Sequence, residues 1–342
     1  MSTHENEITS PVRLCTDDGA RLNPSARGWS RVPLHEANLG EPAGTTKRWD
    51  YWAILCGDYV VSSVYSDINV LGLADVYWVN LVTGETGGRS ILLEAGSGIT
   101  LPDVPGTNPL TIAVPDFDLA IVDDEHATRL LAAWTESNGT PSRLDILVAR
   151  PTAHESVNVV IPWDEEHFTF TSKQQARPAT GELVVGDHHI AIGADNDAWG
   201  VLDVGRGRWP SRITWNWGGG AGRANGHVIG LQFGGQWTAG TGFTENGFTV
   251  DGVLTKIGRE LEWTYDWDHP LEAWRVRDPG GQLDVTLHPR FDKVTDVDAG
   301  PDLGSQVHQV FGWWSGVVVD DNGQRHDVTN LQGFAEEARQ RW

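Results

Sequence analysis

Glu245 is the residue of this 342-residue chain whose neighbours best suit it to acid chemistry. It stands in the run GFTENGFTVDG, shortly after Trp237, within a glycine-dense stretch from Trp215 to Gly252 that also carries Trp217. A carboxyl group beside Trp and Phe in a dry cavity has its pKa raised, because burial penalises the charged form. It can then serve as a general acid toward an alkene or an ether oxygen. Trp215, Trp217 and Trp237 offer wide apolar faces that shape a pocket and stabilise a cationic intermediate by cation–π contact. Asn246, Tyr77 and His308 join them as candidate ligand contacts, the last because it precedes the aromatic run Phe311, Trp313, Trp314. The competing reading of Glu245, of equal weight, is that it bonds turn amides in the glycine-rich loop.

Asp50, between Trp49 and Tyr51, is the acid candidate of the first half. A structural salt bridge with Lys47 or Arg48 is the stronger reading of it. Asp67 ends a strand and defaults to a turn role. His188 and His189 are adjacent, so on a strand they face opposite ways and do not chelate together. His227 and His308 stand apart from them, and no H-x-H or HExxH pattern occurs, so no metal is expected. The run GGGAGR (218–223) lacks the GKS/T ending and the strand-to-helix context of a phosphate loop. Neither a G-x-S-x-G elbow nor a redox-cofactor signature is present, and no cofactor is implied.

The elements that must position these residues are strands. Lys47–Leu55, 58–68 and 74–82 are aromatic and β-branched, with glycine punctuation and a turn at Thr83-Gly84-Glu85. Further strands are expected at 117–122, 128–134, 144–149, 157–161, 167–171, 182–186, 188–193, 259–265, 272–277, 282–287, 306–319 and 325–329. Strand–helix alternation is missing, which excludes a parallel α/β sheet. Residues 199–209 read as a short helix or a tight crossing. The tail from Leu331 to Trp342 reads as a helix, with Glu336 and Glu337 ahead of Arg339 and Arg341 in accord with the helix dipole. Pro162-Trp163-Asp164-Glu165-Glu166 reads as a join. The division expected is an irregular leader at 1–46, a first β-barrel at 47–165 and a second at 166–342. Residues 75–80 (DVYWVN) lie over 246–251 (NGFTVD) with aromatic, Val and Asx in step, a weak sign that the halves repeat one plan and that Tyr77 matches Phe248.

The chain carries 17 tryptophans, two cysteines and a formal charge of −22. Scattered acid reads as a solvated surface, and it argues against nucleic acid and anionic membranes, which require clustered Lys and Arg. Cys15 and Cys56 form neither a disulfide framework nor a metal spacing. The opening MSTHENEITS has no basic segment followed by an apolar one, and no apolar run approaches about 18 residues, so neither a signal peptide nor a membrane span is expected and the location expected is cytoplasmic.

Seven segments together resemble a bacterial family catalogued as a domain of unknown function: KRWDYWAI (47–54), ADVYWVN (74–80), VVIPW (159–163), WGVLDVGRGRWP (199–210), GQWTAGTGFTENGFTVDG (235–252), HQVFGWWSG (308–316) and GFAEEARQRW (333–342). That family is distantly similar to lipocalin-like proteins, which include carotenoid hydratases and some natural-product cyclases. The resemblance implies an all-β fold of two lipocalin-like barrels, with a ligand cavity in or between them. It carries over no catalytic residue. The function expected is binding of an apolar small molecule, isoprenoid- or polyketide-like, in a Trp-lined cavity, with acid-assisted hydration, isomerisation or cyclisation by Glu245. The alternatives are a non-catalytic lipid or pigment carrier, and a carbohydrate-active protein with tryptophan platforms, which paired carboxylates across an open cleft would favour.

Overall fold

Side-chain alternation decides the fold. Along β4 (Thr46–Cys56), Trp52, Ile54 and Cys56 enter one apolar cluster while Ala53 and Leu55 enter another, so the strand is buried on both faces. The structure, a computed structural model, describes residues 3–40, 45–94 and 98–342.

The leader contributes three two-residue strands, β1 (Val12–Arg13), β2 (Trp29–Ser30) and β3 (His35–Glu36). It is otherwise irregular, as its prolines foretell, although Pro42 lies outside the described residues. After β4 come β5 (Tyr59–Asp67), β6 (Leu71–Asn80), β7 (Thr86–Glu94), β8 (Leu110–Val114), β9 (Phe117–Asp123), β10 (Ala127–Thr135), β11 (Pro141–Ala149), β12 (Val157–Pro162), β13 (Phe168–Val185), β14 (His188–Ile192) and β15 (Trp199–Arg208). The first sheet is antiparallel, in the order β7-β6-β5-β4-β15-β13-β11-β10-β9-β8, with β12 and β14 paired to β13 and β2 paired to β12. The second sheet holds β16 (Arg212–Ala224), β17 (His227–Gly235), β18 (Asn246–Val250), β19 (Val253–Ile257), β20 (Glu262–Thr264), β21 (Trp274–Arg277), β22 (Leu283–Asp298), β23 (Gly304–Val319) and β24 (Arg325–Arg341). Its order is β19-β18-β17-β16-β24-β23-β22-β21-β20. Both sheets curl as half-barrels, the all-β pair expected of two lipocalin-like barrels.

Each sheet encloses its own core, around Trp52, Phe117 and Trp134 in the first and Phe233, Trp274 and Trp314 in the second. A third cluster draws Leu55 and Val201 from the first sheet and Phe311 and Phe334 from the second. It welds the two sheets together along a seam, each buried large side chain contributing roughly 1.5–3 kcal/mol.

Three expectations are corrected. The tail is not a helix: β24 pairs with β16 on one side and β23 on the other, and Leu331 to Ala338 are buried throughout. Two ladders and burial on both faces override the helical propensity of Ala, Glu and Arg. Residues 199–208 are likewise strand, buried along their whole length between β13 and β4. The run after Pro162 is a hairpin turn, in which Asp164 accepts from the amides of Glu166 and His167. The first sheet therefore passes through it, and the change of sheet falls between Arg208 and Arg212.

The strand plan does recur. β4 to β7 and β16 to β19 are both four-strand meanders, each flanked by a later strand, β15 and β24. Residue matching is another matter. The turns join Cys56 to Tyr59 and Ala224 to His227, and counting from them puts Tyr77, opposite Ser62, in the place of Thr249, opposite Gly230. The expected match to Phe248 is one residue out of step, and a one-residue slip reverses the face. Tyr77 accordingly packs at the seam and Phe248 in the second core. Among the described residues no helix is long and apolar enough to cross a membrane.

Candidate functional site

A cavity of about 330 Å³ opens at the seam. Its walls follow from the two ladders. Across the first sheet, Lys173 on β13 stands opposite Asp203 on β15, Asp203 opposite Tyr51 on β4, and Tyr51 opposite Val64 on β5. Two residues along, the row is Thr171, Gly205, Trp49 and Ser66. Across the second sheet run Trp217, Glu336, Gln309 and Lys293, then Trp215, Ala338, Val307 and Thr295. Apart from Gly205 and Ala338, every member of these rows lines the cavity. Gly205 is required by its neighbour, since a Cβ there would lie 2.1 Å from the Trp49 ring.

A register shift between Pro289 and Phe291 does the same service on β22. Before it, Leu283, Val285 and Leu287 enter the second core. After it, Phe291 joins the seam, and Lys293 and Thr295 face the cavity. A bulge adds one residue and so turns the strand's alternation over.

One side of the cavity is a knot of indoles. Trp209 contacts Trp49, Trp163, Trp215, Trp237 and Trp342 at ring-centroid distances of 4.9 to 6.1 Å, stacked on Trp237 and edge-on to Trp342. Glu245, 1% exposed, immediately precedes β18 and reaches the cavity wall against this knot, where the Trp237 indole N–H donates to its Oε1 at 3.2 Å. Gly234 makes room for it, because a Cβ there would sit 2.4 Å from the Glu245 side chain. Lys173 Nζ lies 3.3 Å from Glu245 Oε2 and 2.8 Å from Asp203 Oδ1, with the Trp217 ring face 4.6 Å away.

One cation thus faces two carboxylates in a desolvated place. Burial works against the charge of Lys173, but Asp203 and Glu245 outweigh it and raise its pKa. The shorter contact commits the ammonium to Asp203. Glu245 is left under-compensated: burial, opposed by Lys173 and aided by Asp203, pushes its pKa to about 7. Glu336 is a second acid of the same kind. The Trp215 indole donates to its Oε1 at 2.8 Å, and burial lifts its pKa to about 7 against that bond and Lys173. At neutral pH the cavity therefore holds two carboxyl groups able to give or take a proton.

Of the residues singled out from sequence, Glu245, Trp215, Trp217 and Trp237 meet at this cavity. Asp50 does not. It faces away from Trp49 and Tyr51 and forms a buried ion pair with Arg206 at 2.7 Å, in place of the Lys47 or Arg48 bridge expected. Asn246 is spent on the backbone, accepting from Gly234 N–H and donating to the Arg259 carbonyl. His308 pairs with Asp292 at 2.7 Å and lies edge-on to Trp267. Tyr77 reaches the site only through Lys293, whose Nζ sits 4.1 Å from its ring centroid. His227 pairs with Asp251, and Asp67 takes the turn role, accepting from the Asn69 amide. Sequence reasoning missed Lys173, Asp203, Glu336 and Lys293. Asp203 lay in the segment read as a short helix or a tight crossing and Glu336 in the tail read as a helix; read as strand, Asp203 shares a face with Gly205 and with the Trp49 row.

A family model described as a domain of unknown function, DUF2804, matches residues 5–342. The chain belongs to this family. A search of the curated proteins finds no match. Among solved structures the chain is similar to kievitone hydratase from Nectria haematococca, at 15% identity and TM-score 0.48, covering 87% of this chain and 89% of that one. It is similar also to CghA with Sch210972, at 11% identity and TM-score 0.48, covering 96% of each chain. A third is a putative AttH from Nitrosomonas europaea, at 12% identity and TM-score 0.46, covering 87% of this chain and 93% of that one.

Proposed function

We propose that this member of the family binds an apolar small molecule, of isoprenoid or polyketide type, in the seam cavity, and that Glu245 protonates it to drive hydration, isomerisation or cyclisation. The observation that carries the reading is a fully buried carboxyl group on an indole-lined wall, with its cation committed to a second carboxylate. A volume of about 330 Å³ lies in the range of small-molecule sites. The protonated carboxyl gives its proton to an alkene carbon or an ether oxygen. The cation so formed faces Trp215, Trp217 and Trp237, whose π faces stabilise it. Water attacks it and returns a proton to the Glu245 carboxylate, which gives hydration. Loss of a neighbouring C–H proton to the Glu245 carboxylate gives isomerisation; attack by an internal π bond moves the charge to a new carbon, and loss of a C–H proton beside it to the same carboxylate completes cyclisation.

The test begins with the compound that co-purifies with the chain, identified by native mass spectrometry and extraction. Wild type converts it, or its unreacted precursor, to a product one water heavier or to an isomer. Glu245→Gln binds it with unchanged affinity and loses turnover. A Gln variant as active as wild type removes Glu245 from the reaction. A wild type that binds the compound and converts neither it nor its precursor marks the chain as a carrier.

A further inference from the structure

Lys293 has no partner for its ammonium among the described residues beyond the face of Tyr77, 4.1 Å from Nζ, although it lines the same cavity as the acids. Lys173 is paired with Asp203 and Glu245, but among the described residues no carboxylate comes within ion-pair distance of Lys293. Asp75 and Glu336 act on it only from further off, and Asp75 is already taken by the Ser90 hydroxyl. Lys293 is half-buried, and its ammonium carries three donors and no acceptor, so donors without a protein acceptor are left facing the cavity. Its neighbours widen the gap. Gln309 stands opposite it on β23, and the enclosed Tyr51 hydroxyl lies near Gln309 and Ser62 with no hydrogen bond formed to either. The register shift on β22 turns Lys293 toward the cavity, where unbroken alternation would put it on the face of Leu283, Val285 and Leu287, in the second core. Asp203 and Glu245 pair with Lys173, and Lys293 is the second cation lining the same cavity, without an ion pair among the described residues.

We propose that Lys293, with Gln309 and Tyr51 beside it, anchors a carboxylate at one end of the ligand, so that the molecule taken by the seam cavity is an apolar acid. This rests on the reading of the cavity as an apolar-ligand site and adds the polar end of that ligand. The apolar body then extends toward the tryptophan knot, past Glu245, and the fixed carboxylate selects which atom meets the proton.

Two probes of equal chain length test it, dodecanoate and dodecan-1-ol, titrated into the full-length protein at pH 7.5 with tryptophan fluorescence and calorimetry as readouts. Wild type binds the acid at least ten-fold more tightly than the alcohol. Lys293→Met brings the two to parity, and Lys293→Arg keeps the preference. Equal affinities in wild type, or a preference that survives Lys293→Met, overturn the anchor and leave the apolar-ligand reading standing. Failure of wild type to bind either probe overturns both. Because the wild-type comparison alone separates these results, a variant that does not fold leaves the test intact.

Discussion

Replacing Glu245 by Gln should stabilise the protein at alkaline pH and do little at acid pH. The carboxyl pKa lies at about 7 in the folded chain against an ordinary value of 4.5. A rise of about 2.5 pKa units, at 1.36 kcal/mol each, makes ionisation in the cavity about 3 kcal/mol more costly than in the unfolded chain. The sign follows from proton linkage. A carboxyl whose pKa is raised by folding contributes stability that is fully present below its unfolded pKa and is lost as pH rises through the folded one. Wild type therefore loses this increment between about pH 4.5 and 7. Glutamine, an uncharged stand-in for the protonated acid, does not. Urea unfolding followed by tryptophan fluorescence at pH 5 and pH 8.5 reads the difference. The advantage of Glu245→Gln should grow by about 2–3 kcal/mol between the two, since part of the loss already falls below pH 5. A stability difference that is the same at both pH values, or one that favours wild type at pH 8.5, would show Glu245 to be an ordinary ionised carboxylate and would remove the basis for its role as an acid.

Asp50→Asn leaves the Arg206 guanidinium, 0% exposed, without its counter-charge. Unfolding free energy should fall by about 3–5 kcal/mol, the usual result of breaking a buried pair, while probe affinity in the cavity stays unchanged; a loss of binding with intact stability would return Asp50 to the site. Gly205→Ala places a methyl 2.1 Å from the rigid Trp49 ring, so the indole must move into the cavity. A loss of about 1–3 kcal/mol in denaturant stability together with weaker dodecanol binding is expected, and an unaltered variant would show that Trp49 does not form that wall.

Much of the fold was legible because strands announce themselves locally. The aromatic and β-branched runs of 47–94, with their glycine turns, became β4 to β7 where expected, and absence of strand–helix alternation excluded a parallel sheet. Glu245 was legible for the same reason, since its indole and glycine neighbours lie close in sequence and the hairpin geometry that brings Trp237 against it is local. Where reading failed, pairing partners distant in sequence outweighed local preference. The tail GFAEEARQRW has the residues of a helix and its charge order, yet two ladders to β16 and β23 hold it as β24. That single change turns Glu336 from a surface residue into a buried acid at the cavity. Lys173 and Asp203 are thirty positions apart and meet only because β13 and β15 are neighbours in register. The inward turn of Lys293 depends on one extra residue in β22, which no alternation pattern announces. Neighbours along the chain thus foretold the strands and brought one acid within reach of tryptophans, while leaving a turn role for that acid equally open. The tertiary structure alone decided that the cavity lies between two sheets and which charges face each other across it, because a strand's face is set by register with its partners, and register is a property of the assembled sheet.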